Sequence, residues 1–261
     1  MINRRQFLGT TAAATLTAII DPALALAKSS IAGPENALAT RAIPSSGERL
    51  PVIGMGTSGS FEIGNDAAER EARREVLRRF FAGGGSLIDT APSYSTAESV
   101  VGDLLAELKL RERAFIATKL SSTGREAGRA QFAESLKRLR TDHVELLQVH
   151  NLRDWRIQLA VARELKAEGK VRYVGLTHFR DSAHDELADA VKESKPDFLQ
   201  INYSVTDREA EKRVFPTARE LGVAVLANRN FDDGELFARV KGKPVPGWAE
   251  QAPCGPIQRI G

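Results

Sequence analysis

Leu87-Ile88-Asp89-Thr90-Ala91-Pro92-Ser93-Tyr94 is the stretch from which the fold can be read. Apolar residues lead into Asp89, Pro92 forces a turn, and Tyr94 follows. Gly83-Gly84-Gly85 just before it suits the end of a helix, because glycine accepts the positive φ found there. The pattern predicts a strand and then a loop, with an acid at the strand's tip and a phenol on the loop. Loops that follow strands are where binding and catalysis concentrate.

Working outward, helix and strand patterns alternate. Asp66 to Phe81 is helical, with Val76, Leu77, Phe80 and Phe81 on one face and Asp66 with Glu69 as a capping-box-like start. Further helices are predicted over 97–108, 129–140, 155–168, 182–194 and 207–221, the last bent by Pro216. Strands are predicted to begin near residues 52, 87, 115, 144, 173, 198 and 223, which are 35, 28, 29, 29, 25 and 25 residues apart. Regular strand-helix units imply a parallel sheet with helices outside it. Seven units approach the eight of a closed (β/α)8 TIM barrel, and such a domain uses about 250 residues. The competing layout is an open doubly wound sheet with a Gly-rich loop after its first strand. Gly54-Met55-Gly56-Thr57-Ser58-Gly59 has that spacing, but residues 60–65 separate it from the helix, and no acid ends a second strand in the ribose-binding position. The barrel is therefore favoured. Ahead of it, Ser45-Ser46-Gly47-Glu48 between short apolar runs predicts a β-hairpin.

The chain has 261 residues, 42% hydrophobic and 27% charged, which suits one globular domain with a tail. Its net charge of +3, with acids and bases interleaved, gives no reason to expect nucleic acid. The single cysteine excludes an internal disulfide, and no Cys/His spacing suggests a metal site. Arg4-Arg5-Gln6-Phe7-Leu8 followed by the small apolar run Thr10 to Ile20 and by Ala25-Leu26-Ala27 resembles a twin-arginine export signal. The run is shorter than the about 20 residues that cross a membrane. The expectation is a signal over 1–27 cleaved near Ala27, a periplasmic destination, and membrane contact only during export by the translocase. A flexible leader over 28–40, a barrel over 41–234 and an irregular tail over 235–261 complete the expected organisation, with the oligomeric state left open. After Ala227 no eighth apolar strand and no eighth amphipathic helix can be found, so the barrel is expected to be incomplete.

Active sites of such barrels lie at the C-terminal ends of the strands. Asp89, Lys119 and His150 end three consecutive predicted strands, and neighbouring strands lie about 4.8 Å apart, so these tips must converge. Tyr94 can fold back over the same mouth. Alone, Asp89 and Lys119 read as an ion pair and His150 as a core imidazole; together they read as a catalytic group. Asp89 with Tyr94, Thr118-Lys119 and Val149-His150 resemble the tetrad of aldo/keto reductases. Leu50 to Thr57, Tyr173 to Phe179, and Gln200 with Tyr203 resemble other motifs of that family.

The resemblance implies an NAD(P)H-dependent oxidoreductase, NADP(H) being the expected cofactor, that reduces the carbonyl of a small aldehyde or ketone. A free phenol has a pKa of about 10 and is a poor acid at neutral pH. The Lys119 cation favours the phenolate, Asp89 holds the ammonium, and His150 orients the substrate oxygen, so Tyr94 acts as general acid. It further implies cofactor contacts from Gly56, Thr57, Thr177, His178, Gln200 and Tyr203. His178 stands where the family usually has Asn, and Ser95 where Gly commonly follows the Tyr. The basic residues that hold the adenosine 2′-phosphate in the family have no counterpart here. Two other readings are a catalytically impaired remnant that binds a partner or nothing, and a barrel lyase or isomerase that uses Lys119 to form a Schiff base.

Overall fold

A computed structural model describes residues 38–244 and 247. The export signal over 1–27, all of the leader but its last residues, and most of the tail after 244 lie outside the described residues. Thr40, expected at the end of the leader, already begins β1.

β1 (Thr40–Ala42) and β2 (Arg49–Pro51) form an antiparallel hairpin. Gly47 closes its turn at φ 76°, and its N–H donates to Ile43 O. Seven parallel strands follow in chain order: β3 (Met55–Gly56), β4 (Leu87–Asp89), β5 (Phe115–Leu120), β6 (Val144–His150), β7 (Val171–Thr177), β8 (Phe198–Asn202) and β9 (Ala224–Asn228). Helices α1 (Ala67–Ala82), α2 (Ala97–Leu108), α3 (Arg125–Leu139), α4 (Trp155–Ala167), α5 (His184–Ser194) and α6 (Val214–Leu221) connect them. A doubly wound sheet reverses its strand order at a switch point. The unbroken order here excludes it and gives a nearly closed barrel.

Strand side chains alternate between faces. Leu87, Phe115, Ala117, Leu146, Tyr173 and Phe198 form one buried cluster with Ile43 of the hairpin, which floors the barrel. The Tyr173 hydroxyl contacts Ser46 at 2.7 Å and Glu48 at 2.6 Å, tying the hairpin to the floor. Further along each strand, the same face turns polar: Asp89, Lys119, Gln148 and Gln200 two residues on, and Thr177 four beyond Tyr173. Gly175 lies between Tyr173 and Thr177 because a Cβ there would come within 3.0 Å of Gln148 Cγ and 3.1 Å of Phe198 O. The outer face carries Ile88, Ile116, Leu147, Leu176 and Leu199 into the helical layer.

Several details differ from expectation. Val76 is 45% exposed, and the inner face of α1 is made by Leu77 and Phe81 with Phe80 at its margin. The segment 207–221 is not one bent helix. A short 3-10 turn at Glu209–Glu211 precedes α6, and Pro216 occupies the first turn of α6, where its missing N–H breaks no helical bond. The tail expected to be irregular begins with α7 (Glu235–Val240), a six-residue helix. Among the described residues no strand joins β9 to β3. Val225 and the β3 approach, Val52 and Ile53, are correspondingly exposed.

Candidate active site

Strand register brings the polar tips together. Asp89 pairs with Ala117, Lys119 with Gln148, His150 with Thr177, and Thr177 with Gln200. The Lys119 ammonium is 1% exposed and donates to Asp89 Oδ2 and to Thr90 O, both at 2.8 Å. Breaking such a pair leaves an uncompensated buried charge, so each partner holds the other in place. The other Asp89 oxygen accepts from Gln148 Nε2 at 3.4 Å.

Tyr94 reaches this pair from a tightly wound loop. Its N–H donates to Ala91 O and its carbonyl accepts from Ala97 N. Ser95 takes φ 43°, the left-handed region that favours glycine, which explains why a glycine is preferred there. The Lys119 ammonium lies 4.8 Å from the Tyr94 ring centroid, over its face. His150 meets Tyr94 edge to face, with centroids 5.9 Å apart. Burial, reinforced by the Lys119 cation and opposed by Asp89, pushes the His150 pKa down to about 4. The imidazole is therefore neutral near pH 7. Ser93 Oγ is 3.5 Å from His150 Nδ1.

These groups line a cleft of about 390 Å³ at the barrel mouth. Eight of the ten predicted site residues lie on it: Gly56, Thr57, Asp89, Tyr94, Lys119, His150, Thr177 and Gln200. The Thr57 hydroxyl is spent on Asp89 O at 2.9 Å, which anchors β3 to β4. Thr177 Oγ1 donates to Gln200 Oε1 at 3.0 Å, so the Gln200 amide N–H groups remain for a ligand. A larger groove, of about 580 Å³ beside Phe215, Pro216 and Arg219, contains none of the strand-tip residues.

The other two are not on the cleft. His178 Nδ1 accepts from the N–H groups of Phe179 and Arg180, and its ring stacks on Phe179. The imidazole caps its own loop, a job that an exposed loop after a strand demands. Tyr203 packs against Phe215 with centroids 4.8 Å apart and donates to Glu211. Sequence reasoning missed Asn228, Arg229 and Asp233, which line the cleft. Asn228 continues the inward period-two positions Ala224 and Leu226, a signal lost when the strand is ended at Ala227. Among the described residues no group of three His, Cys, Asp or Glu is placed to hold a metal ion.

Comparison with known proteins points to one family. The profile of the aldo/keto reductase family matches residues 52–252. An NADH-specific methylglyoxal reductase of Escherichia coli is 27% identical over 234 residues, covering 77% of this chain and 69% of that protein. The aldo-keto reductase YhdN of Bacillus subtilis is 31% identical over 211 residues, covering 72% of this chain and 60% of that protein. A crystal structure of an aldo/keto reductase from Klebsiella pneumoniae, in complex with NADP and acetate, superposes with a TM-score of 0.62 at 26% identity, covering 72% of this chain and 67% of that one.

Proposed function

The chain belongs to the aldo/keto reductase family, and on that premise we propose that it reduces the carbonyl of a small aldehyde or ketone to an alcohol, with Tyr94 as general acid. One observation supports this above the others: the buried Lys119–Asp89 pair lies beneath the Tyr94 ring, with a neutral His150 at its edge.

The cleft fits a nicotinamide dinucleotide at the level of donors and acceptors. A carboxamide needs both, and Gln200 offers unspent N–H groups, while Asn228 Oδ1 is buried with no partner among the described residues. Gly56 and Thr57 on one side and Thr177, Gln200 and Asn228 on the other would hold it. When bound, the cofactor supplies a hydride for the carbonyl carbon. The chain supplies the rest. His150 Nε2–H donates to the carbonyl oxygen and orients it; being neutral, it gives a hydrogen bond and keeps its proton. Tyr94 Oη transfers its proton to that oxygen as charge develops there, and the Lys119 ammonium favours the resulting phenolate. Asp89 Oδ2 and Thr90 O hold the ammonium, and Gln148 Nε2 donates to the other Asp89 oxygen. This geometry opposes the Schiff-base reading, because a nearly inaccessible ammonium held by two acceptors has no lone pair to offer.

NADP(H) is the proposed cofactor, supported by the Klebsiella structural relative that holds NADP. The substrate class is proposed to include 2-oxoaldehydes, as the name of the Escherichia coli relative suggests. The test is oxidation of NADPH and, separately, NADH by the purified chain with methylglyoxal and other small aldehydes. Carbonyl-dependent oxidation with NADPH preferred supports the reading. Preference for NADH reverses the cofactor assignment, and no oxidation with either cofactor defeats the whole.

A second reading, a reductase-like chain with impaired cofactor binding, draws support from β9, whose Val225 is 39% exposed and whose outer edge has no strand partner among the described residues. Export to the periplasm through the twin-arginine route is also proposed. Cell fractionation of the chain with Arg4 and Arg5 both changed to Lys should find it retained inside; unchanged export would contradict this.

A further inference from the structure

Glu98 is 1% exposed in the first turn of α2, four residues after Tyr94, and has no part in the proposed chemistry. Its Oε1 accepts from Thr118 Oγ1 at 2.6 Å, and Thr118, itself 0% exposed, directly precedes Lys119 on the helix-facing side of β5. From α3, Arg138 Nη1 stands 3.5 Å from Oε2. Oε2 and the nearby Ser135 hydroxyl are both buried without a hydrogen-bond partner among the described residues. Desolvation raises the Glu98 pKa, with the Thr118 hydrogen bond and the Arg138 cation opposing.

Burying a carboxyl group is costly, and packing did not require one here. The β5 neighbours on the same face, Ile116 and Leu120, are apolar and 0% exposed, as is Val101 on α2. An apolar contact would fill the space but would let the helix slide on the strand. A short hydrogen bond restricts both distance and direction.

We propose that Glu98 is a positioning residue: through Thr118 it locks the start of α2, and with it the Tyr94 loop, against the strand that carries Lys119. The covalent path is short on both sides. Tyr94 O accepts from Ala97 N at 2.8 Å, next to Glu98, and Thr118 adjoins Lys119. The role rests on reading Tyr94 and Lys119 as acid and cation, since only that chemistry needs their separation fixed so closely.

The test compares Glu98→Ala, Glu98→Gln, Thr118→Val and Thr118→Ser in the full chain, with two readouts. The first is kcat and KM for carbonyl reduction. The second is the NMR titration of His150, assigned by its loss in His150→Gln. That ring faces Lys119 from β5, Asp89 from β4 and His178 from the loop after β7, and it packs on Tyr94. Glu98→Ala and Thr118→Val should each lower kcat about tenfold, with KM for the cofactor held within about twofold, because a displacement near 1 Å at reacting groups has that scale of effect or more. Both should also move the His150 midpoint upward from about 4. Glu98→Gln and Thr118→Ser keep the bond and should restore both readouts. If Glu98→Ala and Thr118→Val are less stable but keep kcat and the His150 midpoint, the contact is structural only and the proposal is overturned. If Glu98→Ala does not fold, Thr118→Val decides. If the unmodified chain reduces no carbonyl, the functional reading fails, while the His150 midpoints still decide the role of Glu98.

Discussion

The two sides of the barrel are built differently. On one side, every residue of β5 is buried, and β6 is buried up to its last residue, His150. Helices α2 and α3 cover them outside, and Lys119, Asp89 and Tyr94 meet within. On the other side, β9 alternates between half-buried and exposed residues, and β3 contributes two residues only. The acid-base group therefore lies where low dielectric strengthens each charge interaction, and the groups proposed to hold the cofactor lie partly along an open wall. Proton chemistry and cofactor affinity should respond independently to substitution.

The largest expected effect tests the closed side. Lys119→Met strands Asp89 without its counter-ion and should cost about 3–5 kcal/mol of stability, read by urea denaturation, as well as abolishing reduction. A loss below about 1 kcal/mol would mean that the pair is effectively solvated, which would erase the contrast.

Next in size is a pH effect. His150 titrates near 4 in the folded chain against 6.5 for the free side chain. The unfolded state therefore binds the extra proton first. Stability is full above pH 6.5 and is lost as pH falls toward 4, by on the order of 2–3 kcal/mol from this group. Denaturation of His150→Gln across that range should show a shallower slope; an identical slope would assign the loss to other groups.

Beside and along the open edge, Gln200→Ala on buried β8 or Asn228→Ala on β9 should raise KM for the cofactor about tenfold, worth about 1.4 kcal/mol, with little change in kcat. A fall in kcat of the same size would show that the two sides are not separable. The smallest effect is expected from Ser95→Gly. Relieving a left-handed serine should stabilise the chain by about 0.5–1 kcal/mol, visible as a raised Tm. Destabilisation would mean that the serine side chain compensates its own backbone.

What the sequence discloses follows the same division. Asp89, Lys119 and His150 each end an apolar run, so strand periodicity alone placed them at one mouth. Thr177 and Gln200, named from the family resemblance, lie on the cleft. His178 and Tyr203 do not, because their rings are taken up by local contacts, with Phe179 and with Phe215 and Glu211. Such contacts depend on neighbouring loops that no spacing rule describes. Asn228 was hidden because a five-residue strand with exposed alternate positions resembles a loop. Glu98 is a first-turn acid of α2, a common feature of helices, and only its bond to Thr118 singles it out.

The most direct test of Tyr94 as proton donor is Tyr94→Phe, assayed for carbonyl reduction and for NADPH binding by fluorescence titration. Loss of at least about 100-fold in kcat with an unchanged Kd is the predicted result, since a positioned general acid contributes about 10²–10⁴-fold. Turnover within a few-fold of the unmodified chain would contradict the account, because the proton would then come from elsewhere in the cleft.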